Sequence, residues 1–267
     1  MIKLGVSGAC GRMGLRIITL ANKGTDFTLT HAIEHENHPD IGKDIGLLTE
    51  NREIGVKITS KITDGDDIDV LIDFSSPTAT IERIRECSKS NAGIVIGTTG
   101  LNNNQTLEVT AAGKTIPCLI APNMSVGVNL IFDIVARVAK ALGDEYDIEI
   151  VETHHKLKKD APSGTALRIA ERICETTGKS MDKDVIYGRH GQVGERKEGE
   201  IGVHAVRLSD VVGIHKVIFD SSGDCIEITH DAHSRDTFAS GALKAAKFIA
   251  NRTPGMYNMK DVLNINA

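Results

Sequence analysis

Residues 151–165 hold two adjacent histidines, His154 and His155, and three lysines, Lys156, Lys158 and Lys159, followed by the small-residue turn Pro162-Ser163-Gly164-Thr165. The chain carries a formal charge of -5 at pH 7, so this basic run stands against an acidic background. Imidazoles exchange protons near neutrality and ammonium groups pair with anions. Together they point to a pocket for an anion that gains or loses protons. Residues 166–173 follow with helical apolar spacing. A helix starting there would aim free backbone N–H groups and its positive end at the same anion. The plain alternative is a solvated basic turn. Against it stand the adjacent His pair and the strand-like stretch 146–151 just upstream.

A second constellation opens the chain. Gly8, Gly11 and Gly14 recur every third residue in Gly5-Val6-Ser7-Gly8-Ala9-Cys10-Gly11-Arg12-Met13-Gly14. The apolar run 2–7 precedes them, and Met13, Leu15, Ile17, Ile18 and Leu20 follow at helical spacing. Phosphate binding needs glycine at such a junction, because the chain turns sharply and the backbone must approach a pyrophosphate without an intervening Cβ. Gly8, Ala9, Cys10, Gly11, Arg12 and Met13 are therefore expected to hold the diphosphate of a dinucleotide. Glu34 closes the second strand, 20 residues after Gly14, where a carboxylate would take the ribose hydroxyls. Gly97-Thr98-Thr99-Gly100 and Ala121-Pro122-Asn123-Met124 end two further strands, and Asp73-Phe74-Ser75-Ser76-Pro77 a third. Ligands on open α/β sheets bind beyond the carboxyl ends of strands, so Gly97, Thr98, Thr99, Ala121, Pro122, Asn123 and Met124 are expected beside the nicotinamide. Glu34 favours a free 2′-hydroxyl, whereas Arg12 and His35 could attract a 2′-phosphate. The balance favours NADH, with NADPH accepted.

The elements that must position these groups are legible in outline. Strand-like and helix-like segments alternate through residue 121, which implies a parallel sheet covered by helices on both faces. The continuous apolar run 69–74 reads as a buried parallel strand. Residues 34–69 read as irregular with one or two short strands. Residues 126–142 are helical. Beyond them the pattern turns β-rich and antiparallel, over 146–151, 202–208, 213–220 and 225–230, with a hairpin turn at Ser221-Ser222-Gly223-Asp224. Residues 189–202 are glycine-rich and charged and read as a long exposed loop. Residues 237–251 return to helical spacing. The change of pattern near residue 125 is the expected domain boundary.

Composition narrows the function classes. At 267 residues with 40% hydrophobic and 25% charged residues, the chain can bury a sizeable core. Tryptophan is absent and aromatics make up 3%, which argues against stacking platforms for single-stranded nucleic acid. The acidic balance argues against a phosphate-backbone binder. Five scattered cysteines without CxxC spacing fit neither a disulfide framework nor a zinc motif, and suit a reducing cytosol. Cys10 sits in the glycine turn, where a helix N-terminus could lower its pKa, though a small side chain that fits explains it better. No signal peptide and no apolar run of membrane-spanning length is visible, so a cytoplasmic location is expected.

With these motifs in hand, the chain closely resembles the 4-hydroxy-tetrahydrodipicolinate reductase (dihydrodipicolinate reductase) family over essentially its whole length. Residues 152–166 match the signature E-x-H-H-x-x-K-x-D-A-P-S-G-T-A, and Gly8–Met13, Gly97–Thr99, Ala121–Met124, Val212-Gly213 and 234–239 add support. Two positions depart from the family pattern: Cys10 replaces a glycine, and His35 replaces an arginine after the ribose-binding Glu. The resemblance implies an α/β fold, with a Rossmann-type dinucleotide-binding domain over 1–125 completed by a C-terminal helix within 236–267. A smaller α+β substrate and tetramerisation domain with a mixed open sheet is implied over 126–235. It implies that His154 and Lys158 form the acid/base pair, with Lys158 the proton donor. His155, Lys158, Gly164 and Thr165 would hold the substrate, and Arg235 would help bind a carboxylate. The implied partners are a cyclic dicarboxylate, NADH or NADPH, and three further copies in a homotetramer, with no nucleic acid, membrane or metal. Two rival readings share parts of the pattern: another nicotinamide-dependent reductase of small imines or amino acids, and a dinucleotide-sensing regulator. The regulator would need a DNA-binding module or basic face that the sequence lacks. A metal centre at His154 and His155 is set aside, because adjacent strand residues face opposite ways.

Overall fold

The computed structural model describes residues 1–63, 65 and 67–265. The chain divides into two compact units, Met1–Val126 with Arg235–Ala267, and Gly127–Ser234. Chain order in the first unit is β1 (Ile2–Ser7), α1 (Arg12–Lys23), β2 (Phe27–Ile33), α2 (Gly46–Thr49), β3 (Ile58–Thr59), β4 (Val70–Asp73), α3 (Pro77–Ser90), β5 (Gly93–Ile96), α4 (Asn103–Ala112) and β6 (Pro117–Ile120). The second unit holds α5 (Val126–Leu142), which starts on the last residue of the first, then β7 (Asp147–His154), α6 (Gly164–Thr177), α7 (Met181–Asp184), β8 (Val185–Tyr187), β9 (Ile201–Arg207), β10 (Ile214–Asp220) and β11 (Cys225–Asp231). The chain then returns to the first unit as α8 (Asp236–Ile249), β12 (Gly255–Tyr257) and α9 (Met259–Leu263).

The first unit is built on a sheet of order β12-β6-β5-β4-β1-β2-β3, in which every pairing of these strands is parallel. β4 and β5 are buried along their whole length, as strands covered on both faces must be, and this explains their unbroken apolar runs. Alternate residues feed two cores. Leu4, Val6, Val70, Ile72 and Leu119 pack with Ile17 and Ile18 of α1 and with Ala242, Ala246 and Ile249 of α8. Leu71, Ile94, Ile96 and Cys118 pack with Ile81 and Ile84 of α3 and Val109 of α4. Arg16 on α1 donates to both carboxylate oxygens of Asp236 on α8, at 2.8 and 2.6 Å. Chain order reverses between β1 and β4, and a crevice opens at such a switch point beyond the strand ends. The edge strand β12 was not read from sequence; three residues after Pro254 leave too short a run to show a period.

The second unit packs α5 and α6 on one face of a sheet of order β11-β10-β7-β9-β8. Ile148, Ile150, Val203, Val217 and Phe219 face the helices and are buried. The residue pattern alone read as antiparallel, whereas the sheet is mixed, as the family resemblance implies. β7, β10 and β11 pair antiparallel, while β7–β9 and β9–β8 are parallel. The reason lies in the connections. The turn at Ser221–Asp224 reverses the chain, whereas α6 and α7 carry it over the sheet before β8, and a helical crossover delivers the next strand in the same direction. The expected exposed loop also ends earlier than read, because Gly202 lies inside β9. A Cβ there would come within 1.9 Å of a Glu149 carboxylate oxygen, so glycine leaves that side chain room to lie across the strand. Glu149 in turn accepts hydrogen bonds from Arg189, Arg196 and His204, which ties the glycine-rich segment to the sheet.

Candidate active site

The first unit gathers the glycine turn at the crevice. Gly8 adopts φ +73°, and a Cβ there would lie 2.3 Å from the Phe74 carbonyl oxygen. Gly14 admits α1 against the turn, since its Cβ would meet the Gly8 oxygen at 2.2 Å. Gly8 and Ala9 both donate their N–H to Ile33 O, and Gly11 donates to Gly8 O, so the turn is fixed by its own backbone. α1 has no side-chain cap, and its first intrahelical bond is Leu15 N–H to Gly11 O. The N–H groups of Arg12, Met13 and Gly14 therefore lie in the helix's open first turn, where a diphosphate would be held.

A cavity of about 690 Å³ lies against this turn, lined by Ser7, Gly8, Gly11, Glu34, His35 and Phe74 among others. Glu34 is placed by two backbone donors, Cys10 N–H on Oε2 and His35 N–H on Oε1, each at 3.0 Å. The donor set fits a dinucleotide: a helix terminus for diphosphate, and a carboxylate at the end of β2 for ribose hydroxyls. Arg12 and His35 are exposed beside it. Burial pushes the Cys10 thiol up to about 11, with Glu34 and Asp40 adding to the effect, so the thiol stays protonated and the suggestion of a lowered pKa is corrected. Cys10, His38 and Asp40 present ligand-type atoms within 4.8 Å of one another, but Asp40 already accepts from Lys43.

The other strand-end residues lie further along the sheet and do not line that cavity. Gly97, Thr98 and Thr99 follow β5, and Ala121, Pro122, Asn123 and Met124 follow β6. Thr98 is buried, and its hydroxyl donates to Asp73 Oδ2 at 2.8 Å while accepting Ser75 N–H. Asp73, fully buried, also accepts from Ser75 Oγ and Thr80 Oγ1 at 2.5 and 2.6 Å. It thus ties the ends of β4 and β5 to α3, a role that sequence reading missed. Met124 is buried in the core, and the side chain of Asn123 accepts Ser125 N–H at 2.9 Å. Arg235 stands exposed just before α8, in the first unit.

The second unit assembles the His-Lys segment around a buried carboxylate. Alternation along β7 puts Glu152 and His154 on the helix-covered face, and Glu152 is fully buried. Its Oε2 lies 2.5 Å from His154 Nδ1. Arg207 on β9, level with His154 in the parallel register, grips the same carboxylate with two hydrogen bonds of 2.9 and 3.0 Å. Ser163 N–H completes the set at 3.0 Å. Burial alone would raise the Glu152 pKa, but donors from Arg207, His154 and Ser163 outweigh it and hold the carboxyl below its ordinary value. Burial lowers the His154 pKa against the opposing pull of Glu152, and Lys158 and Arg207 push the same way as burial.

The turn and helix that follow behave as the composition suggests. Ser163 caps α6, its Oγ accepting Ala166 N–H at 3.2 Å and lying 3.0 Å from His215 Nε2. Gly164 and Thr165 open the helix, ahead of its first backbone bond, Leu167 N–H to Ser163 O. Lys158 Nζ donates to both oxygens of Asp160, at 3.0 and 2.8 Å. His155 Nδ1 is buried and has no hydrogen-bond partner among the described residues. Gly213 faces His154, and a Cβ there would stand 3.0 Å from Nε2. His215 packs edge-on against His154 with ring centroids 5.1 Å apart. Arg207 and His215 escaped the sequence reading because they lie 55 and 63 residues from Glu152 (207 − 152 and 215 − 152), a distance closed only by strand pairing. Glu152 had a visible signal, its two-residue spacing from His154.

Comparison with known proteins matches both parts of the chain. The family model described as "Dihydrodipicolinate reductase, N-terminus" matches residues 2–124, and that described as "Dihydrodipicolinate reductase, C-terminus" matches 127–263. The 4-hydroxy-tetrahydrodipicolinate reductase of Syntrophus aciditrophicus is 44% identical over 271 aligned residues, covering 100% of both chains. That of Geotalea uraniireducens is 44% identical over 266 residues, covering 99% of this chain and 100% of its own. Among solved structures, the dipicolinate-bound dihydrodipicolinate reductase from Paenisporosarcina sp. TG-14 shares the fold with a TM-score of 0.77 and 24% identity, over 97% of each chain.

Proposed function

The chain belongs to the dihydrodipicolinate reductase family, and from that premise we infer that it is an NAD(P)H-dependent 4-hydroxy-tetrahydrodipicolinate reductase of the diaminopimelate route of lysine biosynthesis. It reduces (2S,4S)-4-hydroxy-2,3,4,5-tetrahydrodipicolinate to (S)-2,3,4,5-tetrahydrodipicolinate with loss of water. The observation that carries this is full-length similarity together with the geometry of residues 152–165, where a histidine, a lysine and a helix N-terminus converge in one unit. The test is the fall in NADH absorbance with freshly prepared substrate. No oxidation of NADH alongside tight NADH binding would favour the regulator instead.

The residues supply the following steps. The substrate's carboxylates are held by His155, by Lys158 and by the Gly164 and Thr165 N–H groups at the start of α6. Arg235 adds a cationic contact. When bound, the reduced dinucleotide supplies a hydride. Gly8–Met13 would hold its diphosphate and Glu34 its ribose, and Gly97–Thr99 and Ala121–Met124 would lie toward the nicotinamide. His154 takes up and relays protons as water leaves C4. Lys158 then gives a proton to the enamine carbon, stabilising the developing anion as it does so. To act, its ammonium exchanges Asp160, a partner 64% exposed, for the substrate.

Two predictions arise here. Arg235→Ala is expected to raise KM more than it lowers kcat, as for binding shared by ground and transition states; the reverse split would place Arg235 in the transition state. Glu34 supports a preference for NADH, because a carboxylate repels a 2′-phosphate. The ratio of kcat/KM for NADH to that for NADPH should exceed one, and a strong bias to NADPH would reverse the assignment.

A homotetramer assembled through the second unit accords with its sheet. Val151, Ile214, Ile218 and Val206 lie on the face away from α5 and α6, and none is buried. Sedimentation equilibrium measures the assembly directly. Five free cysteines fit a cytosolic setting, and no helix of the described residues is long and apolar enough to cross a membrane.

A further inference from the structure

Glu152 is neither exposed to substrate nor idle. Its carboxylate lies at 0% exposure and receives four hydrogen bonds from three directions. Ser163 N–H and Arg207 Nη2 reach Oε1 at 3.0 Å each, while Arg207 Nη1 and His154 Nδ1 meet Oε2 at 2.9 and 2.5 Å. A carboxylate that accepts from a guanidinium fork and a backbone amide is ionised and has no proton to give. The 2.5 Å contact can therefore be a hydrogen bond only if His154 donates from Nδ1. A neutral imidazole that donates from Nδ1 must carry its lone pair on Nε2. That nitrogen faces Gly213, where the missing side chain leaves it room.

Accepting that His154 moves protons in the reaction, we infer that Glu152, clamped by Arg207, is the positioning residue that fixes the ring of His154 and its tautomer, so that Nε2 is the proton-accepting nitrogen. The groups facing the ring are consistent with this division. Glu152 comes from the same strand, Arg207 from β9, His215 from β10 and Lys158 from the segment after β7. Burial, Lys158 and Arg207 all disfavour a second proton on His154, which keeps Nε2 open near neutral pH. Lys158 carries protons to donate, and His154 carries a vacancy to fill. Arg207 is itself held by a further hydrogen bond to Asp160 O at 2.6 Å.

The test separates this inference from the proposed function. Nitrogen NMR of the histidine rings in the full-length protein at neutral pH should show His154 protonated at Nδ1 and bare at Nε2. A proton on Nε2 alone would overturn the inference, whatever the activity. Glu152→Gln keeps an oxygen for Ser163 N–H and Arg207 Nη2, gives up the acceptor of Arg207 Nη1 and turns an amide N–H donor toward Nδ1, so the His154 proton should move to Nε2. The His215 and His230 ring signals should stay in place and report that the unit keeps its fold. kcat should fall by ~10²–10⁴-fold, the range for an acid–base group present in the wrong tautomer. An unmoved tautomer, or a kcat within threefold of the parent, would overturn the inference. On a His154→Gln background, Glu152→Gln should add no further loss; a second loss as large as the first would mean that Glu152 acts otherwise than through His154. Should His154→Gln alone keep the parental kcat, the role given to His154 fails, while the ring spectra still decide whether Glu152 sets its tautomer.

Discussion

Lys158→Met is expected to lower kcat by ~10²–10⁴ while leaving NADH affinity unchanged, the range for loss of a general acid. Methionine keeps much of the lysine stem's bulk and removes the ammonium, so packing is preserved and the proton is not. The residues proposed to hold the dinucleotide are in the first unit and Lys158 is in the second, which is why the two measurements should part company. Loss of the Asp160 contact itself should cost little stability, because a pair whose carboxylate is 64% exposed is worth no more than about 1 kcal/mol. Stopped-flow reduction of substrate, together with NADH titration by fluorescence, checks both halves. An unchanged kcat would remove Lys158 from the chemistry.

Acid should weaken the fold well above the ordinary carboxylate range, and His215 should be the main cause. The ring is 4% exposed, and burial, aided by the neighbouring His154, pushes its pKa down from 6.5 to about 3. The sign follows from where the proton binds. The folded state refuses it until about pH 3, whereas the unfolded chain takes it up below 6.5, so stability is complete above pH 6.5 and drains as pH falls toward 3. From pH 7 to pH 5 that loss is roughly 2 kcal/mol, at about 1.4 kcal/mol per pH unit once the unfolded histidine is protonated. The lowered pKa values of His154 and His230 act in the same sense. Glu149 and Glu152, also held below their ordinary value, add a second loss only below about pH 4.5. His215→Gln retains an acceptor for Ser163 and cannot titrate, so urea unfolding at the two pH values should show a smaller drop in the variant. Equal drops would mean that His215 is not buried neutral. The same loss of the neutral ring would disturb Ser163, the cap of α6, and with it the N–H groups proposed to hold the substrate.

Local patterns carried far in this chain because they rest on local physics. Glycine at 14 is dictated by backbone contacts within the turn and glycine at 8 by its positive φ, so the dinucleotide motif was legible from a few residues, although Gly8 also makes room for Phe74, which no local pattern shows. The unbroken apolar runs of β4 and β5 announced a sheet covered on both faces. The turn 162–165 read as leading into a helix because a helix start is set by neighbouring residues, here the Ser163 cap. Where a role depends on a partner distant in sequence, the same reading fell short. Thr98, expected beside the nicotinamide, has its hydroxyl taken up by Asp73, and the loop from residue 189, exposed as expected over most of its length, is also tied by two arginines to Glu149.

The amino-acid order alone determined the cofactor motif, the two kinds of sheet-forming segment, and the histidine, lysine and helix start that belong together on one stretch. It could not determine the tautomer or charge of those groups. That depended on Arg207 and His215 arriving beside Glu152 and His154 through the pairing of β9 and β10 with β7. Sequence spacing fixes which atoms a segment owns. The proton-binding behaviour of those atoms is set by the water excluded and the charges brought within a few ångströms, and only the folded chain decides either.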